Sequence, residues 1–141
     1  MKINNSKENA INEGKWTKPG ADFFDKLKEE SNYKALIKEA YLMSPDNIER
    51  DTVFSNSNCK YPHHVISDNE LRLSVPGVKA AINRLRQQGA YSGEAKSHID
   101  RHIKELGLNT YIHEDSLYVE EDAIYMKQIV ENFNDIENRY Y

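Results

Sequence analysis

With 141 residues, 38% of them hydrophobic and 30% charged, the chain suffices for one small domain and leaves solvated stretches beside its core. Its apolar runs last a few residues against the roughly 20 that span a bilayer, no apolar leader opens it, and its single cysteine, Cys59, cannot make an internal disulfide. A membrane span and secretion are therefore not expected, and a reducing cytoplasm is. The net charge of −4 is uneven, with 9 basic against 10 acidic residues in 1–59, 8 against 5 in 60–106 and 2 against 8 in 107–141. A basic middle and acidic tail suit a nucleic-acid face, a contact between copies, or a tail folded over its own centre.

Residues 1–20 are rich in Asn, Lys, Glu and Gly, with Trp16 as their sizeable apolar anchor, and read as a flexible arm. Trp16 ahead of Lys18-Pro19-Gly20 would dock the arm's end onto the body or onto a partner. Residues 21–58 form a helical segment and a loop. Phe23, Phe24 and Leu27, then Tyr33, Leu36, Ile37, Ala40 and Tyr41, recur at helical spacing up to about Met43, as two helices or one kinked at Ser31-Asn32. Ser44-Pro45-Asp46 stops the pattern, and Val53-Phe54 is an apolar latch in the loop that follows.

In 59–109, His64-Val65-Ile66 and Leu71-Arg72-Leu73 flank a turn-forming Ser67-Asp68-Asn69-Glu70, which predicts a hairpin. Ser74 is placed as an N-cap and Pro76 in the first turn of a helix lined by Val78, Ala81, Ile82 and Leu85 and closed by Gly89. Ser92 opens a second helix lined by Ala95, Ile99, Ile103 and Leu106, with Gly107 at its C′ position and Leu108 beyond. In 110–141, Tyr111-Ile112 and Leu117-Tyr118-Val119 suggest another hairpin. Met126, Ile129, Val130, Phe133, Ile136 and Tyr140 then form the stripe of an acidic amphipathic helix that packs on the body or a partner. The expected fold is mainly α with a small β-hairpin, a compact helical domain with a flexible arm.

Histidine usage is the unusual feature. His98 and His102 stand at i, i+4, which presents two imidazoles on one helix face, and Cys59 with His63 or His64 would add ligands from a loop, giving a tetrahedral zinc set. Against it stand the missing second cysteine and the ordinary use of such histidines beside an apolar stripe or as hydrogen-bonding caps. Walker A, G-x-G-x-x-G, H-E-x-x-H and nucleophile-elbow motifs are absent, and Cys59 lacks an orienting group, so no enzyme is expected. Lys79, Arg84, Arg86, Lys96, Arg101 and Lys104 on two consecutive helices offer a nucleic-acid-binding alternative, though Asp100 and Glu105 interrupt the basic surface.

The order Cys59-Lys60-Tyr61-Pro62-His63-His64-Val65-Ile66, Gly77-Val78-x-x-Ala81, Arg84-x-Arg86-Gln87-Gln88-Gly89 and His98-x-x-x-His102-x-x-x-Leu106-Gly107-Leu108 resembles a small module of tailed-bacteriophage proteins, associated with the prohead protease and head morphogenesis. The resemblance covers residues 59 to 109 and brings a context rather than an activity. It implies a non-catalytic protein of a phage or prophage, capsid-associated and working by protein–protein contacts with itself or head proteins, in the cytoplasm of an infected or lysogenic bacterium or in the virion. A nucleic-acid-binding regulator and an inhibitor of a host protein are the alternatives. Trp16, Tyr140 and Tyr141 are the expected partner-binding residues.

Overall fold

The computed structural model describes residues 1–108, 110–113 and 116–119, with side chains through 108. The expected C-terminal helix, with Tyr140 and Tyr141, lies outside the described residues. In chain order the elements are β1 (Lys2–Asn4), a 3₁₀ turn (Lys7–Asn9), α1 (Ala21–Lys28), α2 (Tyr33–Ala40), β2 (Tyr41–Met43), β3 (Lys60–Pro62), β4 (His64–Ser67), β5 (Glu70–Leu73), α3 (Val75–Gln87), α4 (Gly93–Glu105), β6 (Thr110–His113) and β7 (Ser116–Val119). Strands β1, β5 and β4 form a three-stranded sheet in that order, β2 pairs with β3, and β6 with β7.

This is an α+β mixture, and it corrects the expected mainly helical domain with one hairpin and a free arm. The arm is part of the fold. β1 runs parallel to β5 with Ile3 opposite Leu71, and Ile11 continues the pairing, donating to the Leu73 carbonyl at 2.9 Å and accepting from Val75 N–H at 2.8 Å. Trp16 lies against α3, its ring 2.7 Å from where a Cβ on Gly77 would sit, so only glycine permits this approach. The arm's polar composition hid this, because a three-residue strand takes its register from backbone pairing rather than from its own apolar residues.

Elsewhere local chemistry decides. The hairpin β4–β5 turns on Asp68 (φ 51°) and Asn69 (φ 58°), two residues in the left-handed region that a tight two-residue hairpin turn requires. Ser74 caps α3 by accepting from Gly77 N–H at 3.1 Å. Both long helices end on glycines with positive φ. Gly89 and Ala90 donate to Arg86 and Leu85, and Gly107 and Leu108 to Lys104 and Ile103, the paired bonds of a Schellman close.

Helix α2 stops at Ala40, three residues before the expected limit. Tyr41 turns extended, and the Ala40 carbonyl accepts from His63 N–H at 3.2 Å instead of closing another helical turn. In the loop before β3 the latch is Phe54 with the fully packed Ile48, whereas Val53 is 75% exposed. Two apolar clusters result. One gathers Leu73, Val78, Ile82, Leu85, Ile99 and Leu106 around α3 and α4, and the other Phe24, Leu27, Leu36, Ile37, Tyr41, Cys59 and Leu71 around α1 and α2.

Candidate functional site

Four of the five histidines meet in one polar cluster supplied by three parts of the chain. The α4 pair, His98 and His102, faces inward with ring centroids 4.8 Å apart, as i, i+4 spacing on a helix dictates. His63 and His64 are neighbours, and on a regular strand their side chains would leave opposite faces. Here Tyr61, held at φ 60°, and the break between β3 and β4 at His63 let both rings converge, with centroids 4.6 Å apart. The His63 centroid lies 5.1 Å from that of His98 and 4.9 Å from that of His102. Glu39 of α2 completes the cluster, its carboxylate 3.3 Å from His102 Nε2 and 3.9 Å from His98 Nε2.

His63, His64 and His102 have no exposed surface. Burial, the larger influence, and the neighbouring imidazoles hold His63 and His64 well below the usual histidine range. Burial pushes His102 down to about 3 against the pull of Glu39, and lowers His98 as well. Burial alone would raise Glu39, but the hydrogen bonds from Arg101 and Asn5 and the charge of Arg101 bring its carboxyl below the ordinary value. The histidines are thus neutral and Glu39 ionised at neutral pH.

Hydrogen bonding then fixes which ring nitrogen carries each proton. The Tyr61 carbonyl can only accept, so His63 Nδ1–H donates to it at 3.0 Å and Nε2 is left as a bare lone pair. Asn5 donates through Nδ2 to Glu39 Oε2 at 2.7 Å, which turns its Oδ1 to accept from His64 Nε2–H at 2.8 Å and leaves His64 Nδ1 bare. His102 Nδ1–H donates to Glu105 Oε1 at 2.6 Å, so its Nε2 carries a lone pair that accepts from His98 Nε2–H at 3.0 Å. Among the described residues His63 Nε2 and His64 Nδ1 have no hydrogen-bond partner, and both are buried from solvent. Each such buried unpaired atom costs on the order of 1–3 kcal/mol.

Two overlapping sets of donor atoms are close enough to share one metal ion: His63, His64 and His102, and Glu39, His98 and His102, each within 4.8 Å of one another. Cys59 belongs to neither, which corrects the ligand set expected from sequence. Its thiol is buried in the apolar cluster of α1 and α2, and burial pushes it up to about 11, a setting for an inert thiol. Glu39, Asn5 and Glu105 escaped the sequence reading. Glu105, three residues after His102, was within reach of helical spacing, whereas Glu39 and Asn5 arrive only through tertiary folding.

The six expected nucleic-acid-binding cations do not form one free stripe. Arg101 is committed to Glu39 at 2.9 and 3.1 Å, Lys96 reaches Asp100 at 2.7 Å, and Arg86 is half-buried. Arg84 instead joins Lys18 and Lys60 around an open groove of 680 Å³ with Trp16 and Tyr61 in its lining, and no carboxylate lines it among the described residues. Trp16, expected to bind a partner, thereby spends part of its ring on α3 and leaves the rest in the groove. Among the described residues no helix is long and apolar enough to cross a membrane. No protein-family model, curated protein or solved structure matches the chain.

Proposed function

We propose that the chain is a non-catalytic protein–protein interaction module of a phage or prophage, acting in head assembly or in the virion. One observation carries this reading: most residues behind the phage resemblance are buried or half-buried in the fold. Tyr61, His63, His64, Gly77, Val78, Ala81, His102 and Leu106 are all buried. A motif used in this way specifies a scaffold, and exchange with other molecules falls to the outer faces. Catalysis by the histidines would require substrate to reach them, and three of the four are sealed from solvent.

The face best suited to a protein partner is the groove of Trp16, Tyr61, Lys18, Lys60 and Arg84. It combines aromatic surface with positive charge that no carboxylate among the described residues of its lining opposes, the composition of an interface anchor for an acidic surface. The test is co-sedimentation of the purified chain with proheads assembled from the capsid protein of the same phage or prophage. The reading predicts that the chain pellets with the proheads and that the double variant Lys60→Glu, Arg84→Glu stays in solution. It fails if the wild-type chain remains in the supernatant. A salt-dependent gel shift with DNA, abolished by the same pair of changes, would move the groove to nucleic acid instead.

A further inference from the structure

We infer that the histidine cluster is a binding site for one divalent transition-metal ion, zinc by preference, held by His63 Nε2, His64 Nδ1, His98 Nε2 and His102 Nε2. Three of these atoms are lone pairs by the hydrogen bonding of their own rings. They converge from a strand junction and a helix, and the His63 and His64 atoms are fully buried with no donor among the described residues to reach them. The fourth, His98 Nε2, lies 3.0 Å from His102 Nε2 on the Glu39 side of the cluster, and would turn in and give up the proton it donates to His102 on binding the ion. Tetrahedral zinc with bonds of about 2.0–2.1 Å sets its ligands about 3.3 Å apart, so this pair is already near coordination spacing.

The groups behind the ligands point the same way. His63 leans on the Tyr61 carbonyl, His64 on the Asn5 amide oxygen and His102 on the Glu105 carboxylate. A metal-bound imidazole is oriented in just this manner, by an acceptor on its distal N–H. Glu39 stands 3.3 Å from His102 Nε2 but is held by Arg101 and Asn5, so it supplies negative charge beside the ion rather than a bond. Imidazole nitrogen with a nearby carboxylate is borderline in softness and favours zinc, with copper and nickel as stronger but scarcer competitors. A fully ligated ion leaves no open position for water, which makes the site structural: it would tie α4 to the β3–β4 junction and, through Asn5, to the N-terminal segment.

The test begins with the full chain purified without chelator, then stripped, equilibrated with zinc and desalted. Elemental analysis should return about one zinc per chain, and thermal unfolding should move upward with zinc and return with chelator. Cobalt in place of zinc should give the intense visible bands of four-coordinate cobalt without the near-ultraviolet thiolate band that a Cys59 ligand would add. His98→Gln, at the most exposed of the four positions, should weaken zinc at least about tenfold while keeping the wild-type circular dichroism, and Cys59→Ala should leave affinity unchanged. The inference is overturned if the folded chain retains less than about a tenth of an ion, if cobalt shows only the pale bands of six-coordinate hydration, or if His98→Gln and His102→Gln bind as the parent does.

Discussion

Asn5 is the sharpest point at which to perturb this fold, because one amide orders both the N-terminal segment and the histidine cluster. Its Nδ2 donates to Glu39 at 2.7 Å and its Oδ1 accepts from His64 at 2.8 Å. Asn5→Ala leaves His64 Nε2–H without an acceptor on a ring with no exposure, at about 1–3 kcal/mol. Glu39 also loses one hydrogen bond, but it keeps both contacts to Arg101 and some solvent, so this part stands near 1 kcal/mol. Together the loss is about 2–4 kcal/mol. Urea unfolding of the metal-free protein at neutral pH reads it directly: with a slope of about 2 kcal/mol per molar, the midpoint should fall by about 1–2 M. Asn5→Asp should do no better, since it sets a second carboxylate against Glu39. A midpoint for Asn5→Ala within about 0.2 M of the parent would refute the docking of this segment.

Three further outcomes follow from the same structure. Gly77→Ala forces the Trp16 ring off α3, and the overlap at 2.7 Å outweighs the helix-propensity gain of about 1 kcal/mol. With a single tryptophan in the chain, its emission should shift red and its exposure to quencher rise, and unchanged emission would contradict the contact. The four histidines are depressed in the folded state, so below about pH 6.5 the unfolded chain takes up protons that the folded chain refuses. Their contribution to stability is complete above that pH. In the metal-free protein it should fall by about 1.4 kcal/mol per buried imidazole per pH unit on acidification, while Glu39, held below the ordinary carboxylate range, stays charged until more acidic conditions. Flat urea midpoints between pH 7 and 5 would show that the rings are hydrated. The Cys59 thiol should resist a disulfide reagent in the native state and react fully in denaturant, and rapid native labelling would contradict its burial.

Much of the central region could be read from local chemistry. Ser74, Pro76, Gly89, Ser92 and Gly107 bracket two helices whose ends the structure places where these residues predict, and Asp68-Asn69 marks the hairpin turn. The misreadings share one cause, which is pairing between segments distant in sequence. Tyr41-Leu42-Met43 continues an apolar helical pattern, yet it pairs with Lys60–Pro62 because the Ala40 carbonyl is claimed by His63. Lys2-Ile3-Asn4 carries no periodic signal and becomes a strand because β5 offers it an edge. For the site, helical spacing joined His98 to His102, and proximity in sequence placed Cys59 with His63. The structure keeps the first association and dissolves the second, sending the thiol into the apolar cluster. Nothing local in Glu39 or Asn5 marks either as a partner of histidines about 60 residues away.

The central claim is that the fold presets neutral imidazoles with the lone pairs of His63, His64 and His102 turned inward, and imidazole tautomers report it most directly. Long-range proton–nitrogen correlation spectra of the metal-free chain at neutral pH should show His63 and His102 protonated at Nδ1 and His64 at Nε2, as Tyr61, Glu105 and Asn5 dictate. Nδ1–H is the less common form of a free imidazole, so two such rings would not arise by chance. Protonated imidazolium signals, or His63 and His102 both carrying the proton at Nε2, would contradict the account.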